Sequence, residues 1–490
     1  MDYIKGVDRE QTILLPDCVD DYVDENNPVR VIDAYVNGLN MTAMGFTKSS
    51  PKDTGRPPYS PKDLLKLYLY GYMNRVRSSR RLEGESKRNL EVIWLLSKLS
   101  PDHKTIARFR QENPIALKNV FRDFVRLCVQ LDLYGKELLA IDGSKFKACN
   151  SKDRAFSEKK LEERIARLEQ KIEEYVRQME ELDHKEDSAE GEKASKEIAQ
   201  IIVALTQRKL DYEGYAQEIR ESGDAQKTLT DPDSRLMMNN GKTEVCFNVQ
   251  TAVDSKHKLI ADFDVINNAQ DKNQIWPLAS QVAQTLDAGV FSVVADAGYD
   301  SATDIAQCLM NGLEPHVAGA EFEICIPTEE ANAQEVSTYT NGRCVYLRER
   351  NIAICPMGKI LYPGSYKNRA GVALFYNGRA CATCAHKCTV ERRKKFQLVM
   401  KKRDFKKEYD DHDLWIQQVC LKPNREIVKK RKCIAEHPFG TIKRTLGADH
   451  CLMKGLPNVK GEFSLVFLAY NVKRVITILG TRRLLQVLNM

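Results

Sequence analysis

Three acidic residues stand out by type and setting: Asp142, Asp296 and Glu436. Asp142 follows the apolar run 138–141, and Asp296 ends the apolar run in GVFSVVADAGYDS. Each run reads as a buried strand, and ligand sites in α/β sheets gather at strand ends. Carboxylates placed there share divalent cations, because Mg²⁺ takes hard oxygen ligands and keeps positions for substrate phosphate. Holding two ions asks for a third acid. Glu436 supplies it within RKCIAEHPFGTIKR, a helical stretch that also carries Lys443. The i,i+7 spacing puts both on one face of a continuous helix. Pro438 must then lie in a first turn or kink that helix. Any one of these aspartates alone also reads as a turn or cap residue. Asp271, in NNAQDKN, is a fourth acid of lower rank that could orient a ligand, and His437 reads as structural.

The second constellation is Cys355, Cys381, Cys384 and Cys388, spaced C-x25-C-x2-C-x3-C, with Cys344 and His386 as spare donors. Cys-x2-Cys with two further thiols suits tetrahedral Zn²⁺, which gives a structural zinc site as the preferred reading over free thiols. A redox pair is disfavoured, since no thioredoxin-like βαβ pattern surrounds it.

Charge is unevenly spread. The net charge is +7, but residues 391–490 carry 23 Lys+Arg against 10 Asp+Glu, and residues 48–110 carry 15 against 6. Residues 1–47 are acidic, 9 against 3. Two basic blocks are what a polyanion-binding surface requires, although solvated basic faces look the same by composition. In the first block Arg75, Arg77, Arg80 and Arg81 end one helical run, and Arg108 and Arg110 flank Phe109 in another. Short helices ending in arginine suit a helix-turn-helix-like DNA reader, or a plain bundle with a basic rim.

These residues need elements to position them. Ser60-Pro61 and Ser100-Pro101 read as helix starts with serine caps and Pro in the first turn. Leu161, Ile165, Leu168, Ile172, Tyr175, Met179 and Leu182 recur at heptad spacing. After the polar stretch 184–193 a second arm follows with Ile198, Ile201, Leu205, Tyr212, Tyr215 and Ile219. Together they predict an antiparallel helical hairpin, inserted because strand-like sequence resumes at KTEVCFNVQTAVD and HKLIADFDVI. A helix over about 271–286, a strand before Asp296, a helix from Ser301 and a strand over 323–327 complete a mixed α/β layer. At the C-terminus Phe463, Leu465, Leu468, Val472 and Ile476 mark one helix face.

Asp142-Gly143, DAGYDS (296–301), EHPFGTIKR (436–444) and LAYNVKR (468–474) together resemble the DDE transposases of bacterial insertion sequences. The family's signature Y-x2-R-x3-E-x6-K falls on Glu436 and Lys443, with Lys432 at the arginine position beside Arg431, and Lys429 where the tyrosine stands. The resemblance implies an RNase H-like mixed sheet flanked by helices. Its three parts are residues 136–157, 223–329 and 411–490. A helical N-terminal DNA-binding domain (1–135), the coiled-coil hairpin (158–222) and a Cys-rich basic insertion (330–410) complete the chain. It implies that Asp142, Asp296 and Glu436 bind two Mg²⁺ or Mn²⁺ ions, and that Lys443, Lys432, Arg431 and Arg444 hold DNA phosphates. The expected partners are double-stranded DNA (element-terminal inverted repeats and target) and a second copy in a homodimeric synaptic complex. A transposase-derived DNA binder that no longer cuts, or an RNase H-like nuclease, is the alternative.

The 490-residue length suffices for about three domains and a sizeable core, so no disulfide or metal is needed merely to fold. With 42% hydrophobic and 29% charged residues, the composition excludes disordered, collagen-like and small disulfide-framework classes. Residues 463–479 are the longest apolar stretch, but Asn471, Lys473 and Arg474 break it, so no membrane span is expected. No signal peptide is read at the N-terminus. A cytoplasmic, nucleoid-associated protein with its 14 cysteines reduced is the expectation.

Overall fold

The computed structural model describes residues 18–50, 57–183, 189–223, 226–319, 322–328, 338–341, 344–347, 350–355, 357–364, 372–385, 393–399, 415–421 and 423–489. It is a mixed α/β structure. Before the first strand come α1 (Pro28–Gly38), α2 (Met41–Met44), α3 (Pro61–Met73), α4 (Ser79–Arg88), α5 (Leu90–Leu95), α6 (His103–Glu112) and α7 (Pro114–Gln130). The start of α3 is the one its sequence predicts: Ser60 accepts a hydrogen bond from the Lys62 amide and Pro61 opens the helix. In α6 the cap is Asp102, not Ser100, because its carboxylate accepts from both the Lys104 and Thr105 amides.

The central sheet has six strands: β1 (Leu138–Lys147), β4 (Arg235–Asn239), β5 (Lys242–Asp254), β6 (Ile260–Ile266), β7 (Ser292–Ala295) and β8 (Glu314–Val317). The long strand β5 takes β1 antiparallel on one edge and β4 and β6 on the other. β1 pairs parallel with β7, and β7 with β8. Parallel neighbours need crossovers, which α10 (Ile275–Leu286) and α11 (Ala302–Met310) provide. α10 begins four residues later than its pattern suggests, since Asn273 adopts a left-handed conformation before it.

Between β1 and β4 stand β2 (Ala155–Ser157), α8 (Glu158–Asp183), α9 (Ala189–Ser222) and β3 (Gln226–Thr228). β2 pairs with β3, closing the base of the excursion. α8 and α9 run antiparallel, joined by Lys209–Glu169 (2.7 Å) and Arg220–Glu158 (2.6 Å). Their base has its own small core of Phe156, Leu161, Ala216 and Ile219.

A second sheet follows, which the sequence pattern does not anticipate. It holds β9 (Phe322–Thr328), β10 (Thr338–Asn341), β11 (Cys344–Leu347), β12 (Ile352–Ile354), β13 (Ile360–Pro363), β14 (Val372–Tyr376), β15 (Lys395–Val399) and β16 (Trp415–Leu421), with α12 (Gly378–Ala382) before β15. The strand expected over 323–327 exists as β9, but it pairs with β15 and β16 rather than joining the central sheet.

The chain ends in α13 (Arg425–Gly440), α14 (Leu456–Leu479) and α15 (Thr481–Leu488). α14 is not amphipathic: residues 461–472 are all buried. A helix apolar all round belongs in a core, and this one lies between α3 and α7 on one side and β6 on the other. Its Asn471 takes the Ile260 amide (3.0 Å) and donates to the Ile260 carbonyl (2.8 Å), covering the otherwise open edge of β6. Among the described residues no single helix is long and apolar enough to cross a membrane.

Candidate active site

The parallel pairing of β1 with β7 sets the site. Ala140 lies opposite Val294. Continuing that register by two residues brings Asp142 level with Asp296, just past the end of β7, on neighbouring strands roughly 5 Å apart. β1 does not stop at Asp142 as its short apolar run suggests, because antiparallel pairing with β5 carries it on to Lys147. Asp296 caps a 3-10 turn, accepting from the Gly298 amide at 2.8 Å.

A third acid joins them. Asp271, in the loop before α10, receives Asn248 Nδ2 and Gln250 Nε2 on its Oδ1, each at 2.7 Å, and Lys145 Nζ at 3.1 Å. Gln250 in turn donates to Asn248 Oδ1 (3.0 Å) and accepts from the Tyr299 hydroxyl. Asn248, Gln250 and Tyr299 are almost fully buried, so this ladder is a rigid floor. It explains the glycine after Asp142: a Cβ on Gly143 would lie 2.3 Å from Gln250 Nε2 and 2.9 Å from Asp271 Oδ1.

The electrostatics follow from this crowding. Burial pushes the Asp142 carboxyl up to about 6, against the pull of the Arg431 guanidinium and with the push of Asp296 and Asp271. Arg431 Nη1 stands 3.3 Å from Asp142 Oδ2, both largely buried. Burial, and then the charges of Asp271, Asp142 and Asp296, hold the Tyr299 hydroxyl far above its ordinary range, so it stays a neutral donor.

Helix α13 lies across β1, β5 and β7. It carries Arg431 into the site, whereas Lys432 and Glu436 are exposed on it. Among the described residues no hydrogen bond or ion pair joins Glu436 to the aspartates. Pro438 falls in the last turn of α13, and the chain then widens into a π-helical turn, Thr441–Thr445. Proline has no N–H for the carbonyl four residues back, and the disturbance emerges as that wider turn. The change of helical type turns Lys443 inward: its Nζ donates to Ser144 Oγ (2.7 Å) and the Lys145 carbonyl (3.1 Å), over the Phe146 ring. Burial lowers its pKa. Arg444 is exposed. His437 bonds the Tyr470 hydroxyl (3.1 Å), a structural contact.

Oxygen donors of this kind suit a hard divalent cation. Among the described residues no three carboxylates, thiols or imidazoles are close enough to form a metal cage as they stand. Two side-chain cations, Arg431 and Lys145, neutralise the aspartates instead.

Residues 133–472 match the family described as the transposase DDE domain. The chain belongs to the DDE transposases. Residues 17–112 of this transposase also match a second family, a transposase domain designated DUF772. No curated protein sequence matches the chain. Among solved structures, a piggyBac transposase synaptic complex with hairpin DNA is similar at 8% identity and a TM-score of 0.33. The match covers 95% of this chain and 80% of that one.

The N-terminal arginines of the transposase divide by burial. Arg80, Arg81 and Arg108 are exposed. Arg110 is buried against Tyr68 and donates to the Tyr72 hydroxyl at 2.7 Å. Arg77 is buried too, pairing with Glu462 (2.8 Å) and donating to the Gly447 and His450 carbonyls. Arg75 donates to the carbonyls of Arg444 and Thr445. Arg77 and Arg110 are therefore interior residues rather than DNA contacts, and Arg75 serves the loop after Lys443. Charge counting cannot tell a solvated arginine from one committed to carbonyls.

Of the four cysteines, Cys388 lies outside the described residues, as does His386. Cys355 is buried and its Sγ accepts the Lys359 amide (3.3 Å); Cys381 Sγ accepts the Lys394 amide (3.4 Å).

Asp271, Asn248, Gln250 and Lys145 were the residues least visible in sequence. The usable signal was the acid in NNAQDKN between β6 and α10, together with amides at alternate positions of a buried strand.

Proposed function

We propose that this transposase binds the terminal inverted repeats of its element and catalyses Mg²⁺-dependent phosphodiester hydrolysis and strand transfer. The observation that carries the reading is the β1–β7 register, which sets Asp142 beside Asp296 beneath the helix bearing Glu436. The mixed sheet, with antiparallel β6, β5 and β1 followed by parallel β7 and β8, supports assigning it to the RNase H-like class. Asp142, Asp296 and Glu436 would hold two divalent cations, Mg²⁺ or Mn²⁺. Such ions activate a hydroxyl nucleophile and stabilise the leaving 3′-oxygen of an in-line displacement. Glu436 reaches the aspartates when α13 settles with DNA present. Arg431 then exchanges Asp142 for a phosphate. Lys443, Lys432 and Arg444 place positive charge along the same strand of DNA. Lys443 is held by Ser144 and the Lys145 carbonyl, so its ammonium is fixed to β1 two residues beyond Asp142.

Arg80, Arg81 and Arg108 suit end-DNA binding by the N-terminal domain, residues 1–135. The amide-to-sulfur contacts at Cys355 and Cys381 suit thiolate ligands of a structural Zn²⁺, with Cys384 and Cys388, in the basic insertion 330–410. The coiled-coil hairpin 158–222 is a candidate for pairing two copies in a synaptic complex. The setting proposed is the cytoplasm, at the nucleoid.

The test is cleavage of a plasmid carrying the gene with its native flanks, comparing wild type with Asp296→Asn in Mg²⁺. Cuts at the element boundary that vanish in the variant are the expected result. Specific end binding without cleavage favours the binding-only alternative, and equal cleavage by both proteins refutes the site.

A further inference from the structure

We infer that Asp271 is a positioning residue of the cation site, a third carboxylate that holds the hydrated ion between Asp142 and Asp296. This deepens the proposed reading and rests on it. The argument is one of orientation. Three N–H donors converge on Asp271 Oδ1: Asn248, Gln250 and Lys145. They fix the carboxylate plane. The other oxygen, Oδ2, takes only the weaker 3.4 Å bond from Lys145 Nζ and borders Gly298, whose built Cβ would stand 3.7 Å from it and 3.0 Å from Asp296 Oδ1. Two carboxylate oxygens on different loops thus border the same glycine.

The three acids do not close a cage as they stand. That spacing fits Mg²⁺, which dehydrates reluctantly and is commonly held by one or two carboxylates with its waters bound by others. Asp271 would accept hydrogen bonds from those waters. Asn248 and Gln250, with Tyr299 behind Gln250, offset the cost of their burial through the hydrogen bonds that hold this loop carboxylate in place. Outer partners of this kind typically change metal affinity about 10- to 100-fold.

The experiment measures Mn²⁺ binding to the full chain without DNA, by electron paramagnetic resonance of free Mn²⁺. Wild type is compared with Asp271→Asn and Asp142→Asn, alongside metal-free melting curves. The amide keeps an acceptor for Asn248 and Gln250 but loses the charge. Binding weakened about 10-fold or more in Asp271→Asn, with unchanged metal-free melting, is the expected result. Wild-type affinity in Asp271→Asn with loss in Asp142→Asn overturns the role of Asp271 and leaves the site intact. Unchanged binding in both variants overturns the site itself. A second measurement needs no variant. Fe²⁺ and ascorbate with wild-type protein should cleave the backbone near 142, 271 and 296, and absence of the cut near 271 overturns the inference.

Discussion

Gly143→Ala is the sharpest perturbation the geometry offers. The added methyl would sit 2.3 Å from Gln250 Nε2, 2.9 Å from Asp271 Oδ1 and 3.0 Å from Asn248 Oδ1. An ordinary contact is ~3.5 Å, so the Gln250 amide must retreat by about 1 Å. It cannot do so while donating to Asp271 at 2.7 Å and accepting from Tyr299. The loss is a hydrogen bond to a charged group, ~1.5–3 kcal/mol, plus over-packing of a buried floor, ~1–3 kcal/mol. A total of about 2.5–6 kcal/mol in local opening lowers amide-exchange protection of β1 and β5 by at least about 60-fold. Gly298→Ala is the control: its methyl presses on Asp296 Oδ1 at 3.0 Å and meets Asp271 Oδ2 at an ordinary 3.7 Å, away from Gln250 and Asn248, so protection of these strands changes by less than about tenfold. Protection of β1 in Gly143→Ala within a few-fold of wild type would refute the claim that the ladder is rigid and that it dictates the glycine.

Further outcomes follow from single contacts. Arg77→Met strands the fully buried Glu462 and destabilises the fold by about 3–5 kcal/mol. Adding Glu462→Gln recovers part of that loss, read by denaturant midpoints. Burial raises the Asp304 carboxyl to about 6 from 3.8, although it accepts the Ile275 and Trp276 amides. The folded state therefore binds the proton more tightly between about pH 4 and 6, and stability contributed there is lost as pH rises, by up to ~3 kcal/mol. Asp304→Asn flattens that decline in melting curves taken from pH 4 to 7. Lys443→Met leaves end-DNA binding within a few-fold but lowers cleavage at least about 100-fold, as measured on labelled end substrates. Replacing residues 158–222 by a short flexible linker leaves the main core folded, since the hairpin base has a separate cluster; on the proposed pairing role of the hairpin, light scattering then reads a smaller assembly than for the full chain.

The sequence was most legible where the physics is local. The apolar runs before Asp142 and Asp296 are strands because their own residues favour burial in a sheet, whereas their parallel pairing depends on the crossover helices. The serine cap and proline at 60–61, and the heptads of the hairpin, needed no tertiary information. Less was legible where partners come from afar. Arg77 and Arg110 look like DNA contacts in a basic stretch, and only the position of Glu462, Tyr68 and Tyr72 assigns them to the interior. The eight-stranded sheet was hidden because its strands are short and separated by basic and Cys-containing segments. Asp271 ranked low because its importance lies in Asn248 and Gln250, more than twenty residues earlier on β5.

The same long-range pairings connect the N-terminal helices to the site. Arg75 and Arg77 leave the end of α3 and seize the carbonyls of 444, 445, 447 and 450. That loop begins one residue after Lys443, whose ammonium is fixed to β1 two residues from Asp142. Glu462, on α14, closes the circuit by accepting Arg77 and the amides of Leu452 and Met453. α14 is packed on both sides and has little freedom to absorb strain. The segment between α3 and α4 is therefore tied directly to the turn that follows Lys443. The two basic blocks of the sequence meet at this turn, and their charges are spent partly on mechanical connection between the N-terminal helices and the catalytic sheet.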